Sequence, residues 1–369
     1  MSDWQWFEDF ETKALAKGDR ERVRLRQLHR EAYSFRETDP DRALSLLSEG
    51  SQAARTLGEP WWVLLFDHWQ VHITLYDKSD YRNVLEPAVR NVLEARKSLY
   101  RDFPQKLWIL GDLIEIYVSL DPRGFAKEIQ QALADVEAEL SSEFDNGRYL
   151  FLFHQLDAAV NQDRADDALQ ISLRICATAQ SDPVRSTGDH YLIPNYRSLC
   201  HHYSLRKDWG QVAAWAEAGE ALARQYAQKQ PVGVFQMWQA VIAQHQGKQA
   251  AAARLFQLAT ACMRRLKSPP ERDYYDATCL YHELCRDFEK SLQLRMQEVQ
   301  DFIARGKVYD EFEARLAQLR LMVKIGLGIE EHLSEARDAT RKFHCPECYL
   351  PLIEQIELNG IPTGPANAE

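Results

Sequence analysis

The chain has 369 residues, a net charge of −10 and a hydrophobic fraction of 45%. This acidic balance argues against wholesale coating of nucleic acid or of an anionic membrane. No apolar run approaches the roughly 18 residues of a membrane span, and the acidic, aromatic start MSDWQWFEDFE does not read as a secretory signal. Seven cysteines, an odd number scattered over a long chain, predict reduced thiols in a cytoplasmic protein. Leu, Ala, Glu, Arg and Gln dominate and all favour helix. β-branched runs are scarce, so strands are not expected.

Taken in order, residues 2–16 predict a short amphipathic helix with Ser2 as N-cap and Trp6, Phe7 and Phe10 on its apolar side. Residues 19–37 follow as a first long helix, with Leu25, Leu28, Ala32 and Phe35 at helical spacing and Arg20, Arg22, Arg24, Arg26 and Arg30 on the other face. Its partner begins at the cap Asp39 with Pro40 in the first turn and stops at Gly58. The two-helix pattern then recurs: 60–77 with 80–99, 104–120 with 122–141, 147–162 with 164–180, the two helices of 189–229, 231–246 with 248–267, 270–286 with 287–305, and 307–326 with 329–343. In the third pair Asp121 is expected to cap and Pro122 to open the second helix. In the fifth, Leu199, Cys200 and Tyr203 form the apolar stripe and Lys207 and Asp208 mark the turn. Val212, Ala213, Ala216, Gly219 and Ala223 then give the second helix a small-residue face that admits a close partner.

The first inward apolar positions of the second helices are Ala43, Val84, Ile129, Ala168, Val212, Ala252, Ser291 and Leu333, spaced by 41, 45, 39, 44, 40, 39 and 42 residues. So narrow a spread is the mark of a repeat. No Ser- or Gly-rich linker interrupts it, which predicts one continuous stack over 19–345, with a capping helix within 1–18, another over 346–358 and a disordered tail over 359–369.

These residues resemble the tetratricopeptide-like (TPR-like) helical repeats. Ala252, Phe256 and Ala259 match the Ala, Phe and Ala of that family's second helix, and Leu199, Cys200 and Tyr203 fall at its Leu, Gly and Tyr positions. The period, about 41 residues, is longer than the family's ~34 and lies within the roughly 40–47 of HEAT-type repeats, the alternative architecture. The resemblance implies an all-α, right-handed superhelical solenoid of about eight antiparallel hairpins. It also implies a non-enzymatic scaffold, adaptor or sensor that holds a protein or peptide partner along a concave face lined by first helices.

On that mapping the ligand-facing residues are Arg197, His201 and Ser204, with Asp157 and Asn161 before them, Gln244 (beside Met237 and Val241) after them, and Trp69 and Tyr76 in the second pair. Arg197 and His201 are expected to meet a carboxylate or carbonyl of the bound segment, so that truncating Arg197 weakens binding and leaves stability unchanged.

Other constellations are weaker. The motif HCPEC at 344–348 has the CxxC half of a zinc site but too few further ligands, so the expectation is a turn carrying two free thiols, Cys345 and Cys348, and no metal. Arg197 and His202 fit an Arg-x4-His spacing found in some helical RNases, which supports the alternative of a regulatory or catalytic subunit in a nucleic-acid-linked system. Any nucleic-acid contact would fall on the basic side of residues 17–36. No phosphate-binding loop and no GxSxG or HExxH motif is present, and no cofactor is expected.

Overall fold

The computed structural model describes residues 3–36, 38–78, 80–140, 146–181, 185–265 and 270–360. Among these residues every regular element is helical and none is a strand. Ser2 and residues 361–369 of the expected tail lie outside the described residues. The chain divides into two compact units, the first formed by Met1–Leu120, Phe125–Ser141 and Arg305–Lys307, the second by Asp121–Gly124, Ser142–Ala304 and Val308–Glu369.

The first unit contains α1 (Asp3–Ala16), α2 (Arg20–Phe35), α3 (Pro40–Leu57), α4 (Pro60–Tyr76), α5 (Tyr81–Ala95), α6 (Lys106–Leu120) and α7 (Ala126–Glu139). The second contains α8 (Asn146–Asn161), α9 (Ala165–Ser181), α10 (Arg185–Leu205), α11 (Trp209–Gln225), α12 (Lys229–His245), α13 (Gln249–Arg264), α14 (Arg272–Leu284), α15 (Phe288–Ala304), α16 (Val308–Lys324), α17 (Glu330–Thr340) and α18 (Leu350–Gly360). Within each unit consecutive helices pack on one another, except α13 and α14, where α12 meets α14 directly, and the expected hairpins correspond to consecutive helices.

Local chemistry accounts for the boundaries. Asp19, Asp39, Asp80 and Asp208 each accept the backbone N–H three residues on, satisfying a donor that the first turn leaves free. Gly58 closes α3 at φ 68°, a left-handed conformation that a side chain would strain. Lys207 makes the turn between α10 and α11 at φ 57°. The third pair departs from expectation. Asp121 and Pro122 do not start a helix, and α7 begins only at Ala126. The Asp121 carboxylate still accepts the Gly124 N–H three residues on, but it also accepts the Cys345 N–H and the Tyr349 hydroxyl, from residues more than two hundred positions away.

All eight anchor positions, from Ala43 to Leu333, are buried. The same period governs polar links. In the second unit Arg123 pairs with Asp163, Arg206 with Asp166 and Arg272 with Glu313, each spanning 40 or 41 residues. In the first, Arg96 pairs with Asp135, 39 residues on. Equivalent positions of neighbouring hairpins therefore carry complementary charge.

Close approach of helices rests on Gly50 and Gly219. A Cβ on Gly219 would lie 2.3 Å from the ring of Phe235, and one on Gly50 would lie 2.4 Å from the ring of Phe66. Both rings are fully buried and sit sixteen residues further on. Helix propensity alone would make Gly219→Ala stabilising by about 1 kcal/mol. The ring reverses the sign: the expected result is a loss of about 1–3 kcal/mol in urea denaturation. An unchanged or higher midpoint would show that the helices can part at no cost.

Candidate functional site

In the second unit α8, α10, α14 and α16 surround a cleft of about 310 Å³, within the size range of ligand sites. One wall is apolar, from Phe153, Val160 and Pro194; the rest is charged. Five carboxylates line it (Asp157, Glu271, Asp273, Asp276 and Asp310) against the two guanidinium groups of Arg197 and Arg272, with His201 and His202 beside them. The fixed charge of the lining is therefore negative.

The opposing helices are tied by ion pairs. Arg197 of α10 holds Asp273 of α14 with both arms of its fork: Nε and Nη2 donate to the two carboxylate oxygens, the second at 2.6 Å. Such a bidentate pair fixes geometry as well as charge. One turn on, His201 Nδ1 lies 3.5 Å from Asp276, which also receives Arg295 Nη1 at 2.8 Å. Arg295 reaches inward to Glu298 at 2.7 Å. Arg272 bonds Glu313 at 3.0 Å, and the Tyr309 hydroxyl donates to the Asn161 carbonyl at 2.7 Å, joining α16 to α8.

Electrostatics grade from the cleft inward. Burial alone would raise the Asp276 carboxyl, yet Arg295, His201 and Arg272 hold it below the usual carboxylate range. Burial lowers the His201 imidazole, and Asp276 offsets only part of this. Glu298 is wholly enclosed, and burial pushes its carboxyl up to about 7 despite Arg295. Its Oε1 has no hydrogen-bond partner.

Four of the expected ligand residues, Asp157, Asn161, Arg197 and His201, share this cleft. Arg197 is not open to a ligand carboxylate, because Asp273 already fills its fork. The Ser204 hydroxyl turns back to the His201 carbonyl at 2.7 Å, and neither Ser204 nor Gln244 lines the cleft. Met237 and Val241 are fully buried because α12 is covered by α10, α11, α13 and α14 together. Tyr203, placed on the packing stripe, is only half-buried. Asp273, Asp276, Arg272 and Asp310 were missed; they lie on first helices one and two hairpins beyond α12. Arg197 and His202 both line the cleft. Arg197 is locked, and His202 is buried with its pKa pushed down to about 4 by burial and then by His201.

Trp69 and Tyr76 lie in the first unit on α4. Trp69 packs edge-on to His29 and Tyr33, and the half-exposed Tyr76 lies 4.6 Å from the His72 ring. Between them is a cluster that sequence reading did not assemble. The buried Asp112 receives His68 Nδ1 at 3.3 Å and His72 Nδ1 at 3.1 Å. Burial would raise this carboxyl, but His72 and His68 hold it at about 2. The basic side of residues 17–36 is largely neutralised within the unit: Arg22 pairs with Asp19 and Glu59, Arg24 with Glu31 and Glu49, and Arg30 with Glu11. Arg26 is buried against His29.

His29 carries a pH prediction. Burial first, then the Arg26 charge, lowers its pKa to about 3 from an unfolded value near 6.5. Between these values the unfolded chain binds the extra proton, so stability rises with pH across the window and is lost as pH falls through it. At pH 5 the loss relative to pH 7 is about 2 kcal/mol from this residue. The difference between wild-type and His29→Gln denaturation curves, followed from pH 7 to 4, isolates it; a pH-independent difference would contradict the burial of a neutral imidazole.

No protein-family model matches the chain, and no curated protein sequence matches it. Among the described residues no helix is long and apolar enough to cross a membrane.

Proposed function

We propose that this chain is a non-enzymatic, TPR-like peptide-binding protein that holds a partner segment bearing lysine or arginine in the cleft of its second unit. The observation that carries the reading is the cleft's composition: five carboxylates against two arginines, facing an apolar wall of Phe153, Val160 and Pro194. A basic side chain fits both parts, with its alkyl stem on the wall and its cationic head beside Asp157, Glu271 and Asp310, since Asp273 and Asp276 already hold Arg197 and Arg295. On this reading the cleft is part of the concave face of a superhelix. An adaptor or sensor role follows, its output passing through the bound partner. A phosphodiester ligand would meet net negative charge, so the nucleic-acid alternative gains nothing from this site.

Selection from a displayed random-peptide library tests the reading. Enrichment of Lys or Arg flanked by apolar residues is expected, with binding that weakens as salt rises. Enrichment of acidic peptides, or peptides that bind equally well after Asp157→Asn with Asp310→Asn, would overturn it.

A further inference from the structure

The expectation of two free thiols in HCPEC is not met. Cys345 and Cys348 are joined as a disulfide, with their Cα atoms 5.6 Å apart. Both are half-buried. Of the other five cysteines, Cys285 is exposed and Cys262 partly buried, and neither has a second cysteine beside it in sequence. Cys176, Cys200 and Cys279 are enclosed, and burial raises all three thiols, Cys176 to about 11 and Cys279 to about 12. Such thiols are poor nucleophiles at neutral pH.

The tetrapeptide is held in place by bonds that do not involve sulfur. The Cys348 N–H donates to the Cys345 carbonyl at 3.1 Å and the Tyr349 N–H to the Pro346 carbonyl at 3.1 Å. The buried Asp121 then grips both ends of the turn: its Oδ2 accepts the Cys345 N–H at 2.8 Å and its Oδ1 the Tyr349 hydroxyl at 2.5 Å. Tyr349 is itself fully buried, its ring stacked on Phe343 at 4.1 Å. Two sulfurs kept adjacent by the backbone, by Asp121 and by Tyr349 stay within bonding reach whether or not they are joined. A cross-link spanning only three peptide bonds also constrains the unfolded chain far less than one closing a long loop. The pair is therefore arranged for reversal and not for stabilisation.

We propose that Cys345–Cys348 is a thiol–disulfide exchange site whose co-reactant is a low-molecular-weight thiol–disulfide couple of the glutathione class. In the oxidising direction one cysteine thiolate attacks a sulfur of the small disulfide and expels one small thiolate. The second cysteine thiolate attacks the protein sulfur of the mixed disulfide and expels the other. The two protein thiols lose two protons and two electrons, and the small disulfide becomes two thiols; the reverse sequence reduces the pair.

The test equilibrates the full chain in glutathione buffers from fully reduced to fully oxidised, quenches with acid, alkylates and maps masses by peptide. The expected result is a cooperative loss of alkylation at Cys345 and Cys348 together, fully reversed by reduced glutathione in the folded protein, with the circular dichroism unchanged. Cys345→Ser should leave Cys348 as a trapped glutathione mixed disulfide. Alkylation of both thiols at every buffer ratio would overturn the proposal, because no disulfide then forms. A disulfide that resists reduced glutathione until the chain is denatured would overturn it as well, because the link is then structural.

Discussion

Trp238→Ala is expected to destabilise the second unit by about 3–5 kcal/mol, the range for large aromatic truncations in well-packed cores. Trp238 is among the largest fully buried side chains and sits on α12, whose surface is covered almost all round. Its neighbours Val234, Phe235, Met237 and Val241 are likewise enclosed, so they cannot relax outward to fill the space left behind. Leu258 on α13, nearly half exposed, is the control; its truncation should stay within about 0.5 kcal/mol. Equilibrium denaturation of both variants decides the matter, and similar losses at the two positions would mean that α12 is not the centre of its unit.

Arg197→Ala is expected to lower stability by about 3 kcal/mol, because it leaves Asp273 largely shielded from water without its partner. Each side chain of the pair is less than a fifth exposed. Read from sequence, the same substitution should have weakened binding and spared stability; the bidentate pair reverses that expectation. A double-mutant cycle separates pair energy from lost packing. Adding Asp273→Ala to Arg197→Ala should restore part of the loss, since the unpaired carboxylate goes with it. A double variant less stable than the wild type by the sum of the two single losses would show that the two residues do not interact.

The repeat was legible because it is written at one-period range. Buried anchors from Ala43 to Leu333 keep their spacing, and Asp19, Asp39 and Asp208 cap where short polar side chains before a helix should. Features that depend on contacts over longer range were not. Arg197 and Asp273 are 76 residues apart, and His201 and Asp276 are 75 apart, nearly two periods. Their meeting requires α10 and α14 to approach each other beside α12, a curvature that no single hairpin encodes. A search for complementary charges two repeats apart would have found this pair, as a one-repeat search would have found Arg206 with Asp166. Asp121 and Pro122 have the same cap-then-proline form as Asp39 and Pro40, and what separates them is the N–H of Cys345 and the hydroxyl of Tyr349 arriving from the far end of the chain.

The central claim is that the second unit's cleft is an acidic receptor for a basic side chain, and calorimetry tests it most directly. A lysine-containing peptide from the library selection is titrated into the wild-type protein and into the Asp157→Asn/Asp310→Asn variant, with circular dichroism confirming that both are folded. At least tenfold weaker binding to the variant, about 1.4 kcal/mol, is expected, with no measurable binding of the same peptide carrying glutamate in place of lysine. Equal affinity of the two proteins for the lysine peptide, or preferential binding of the glutamate peptide, would contradict it.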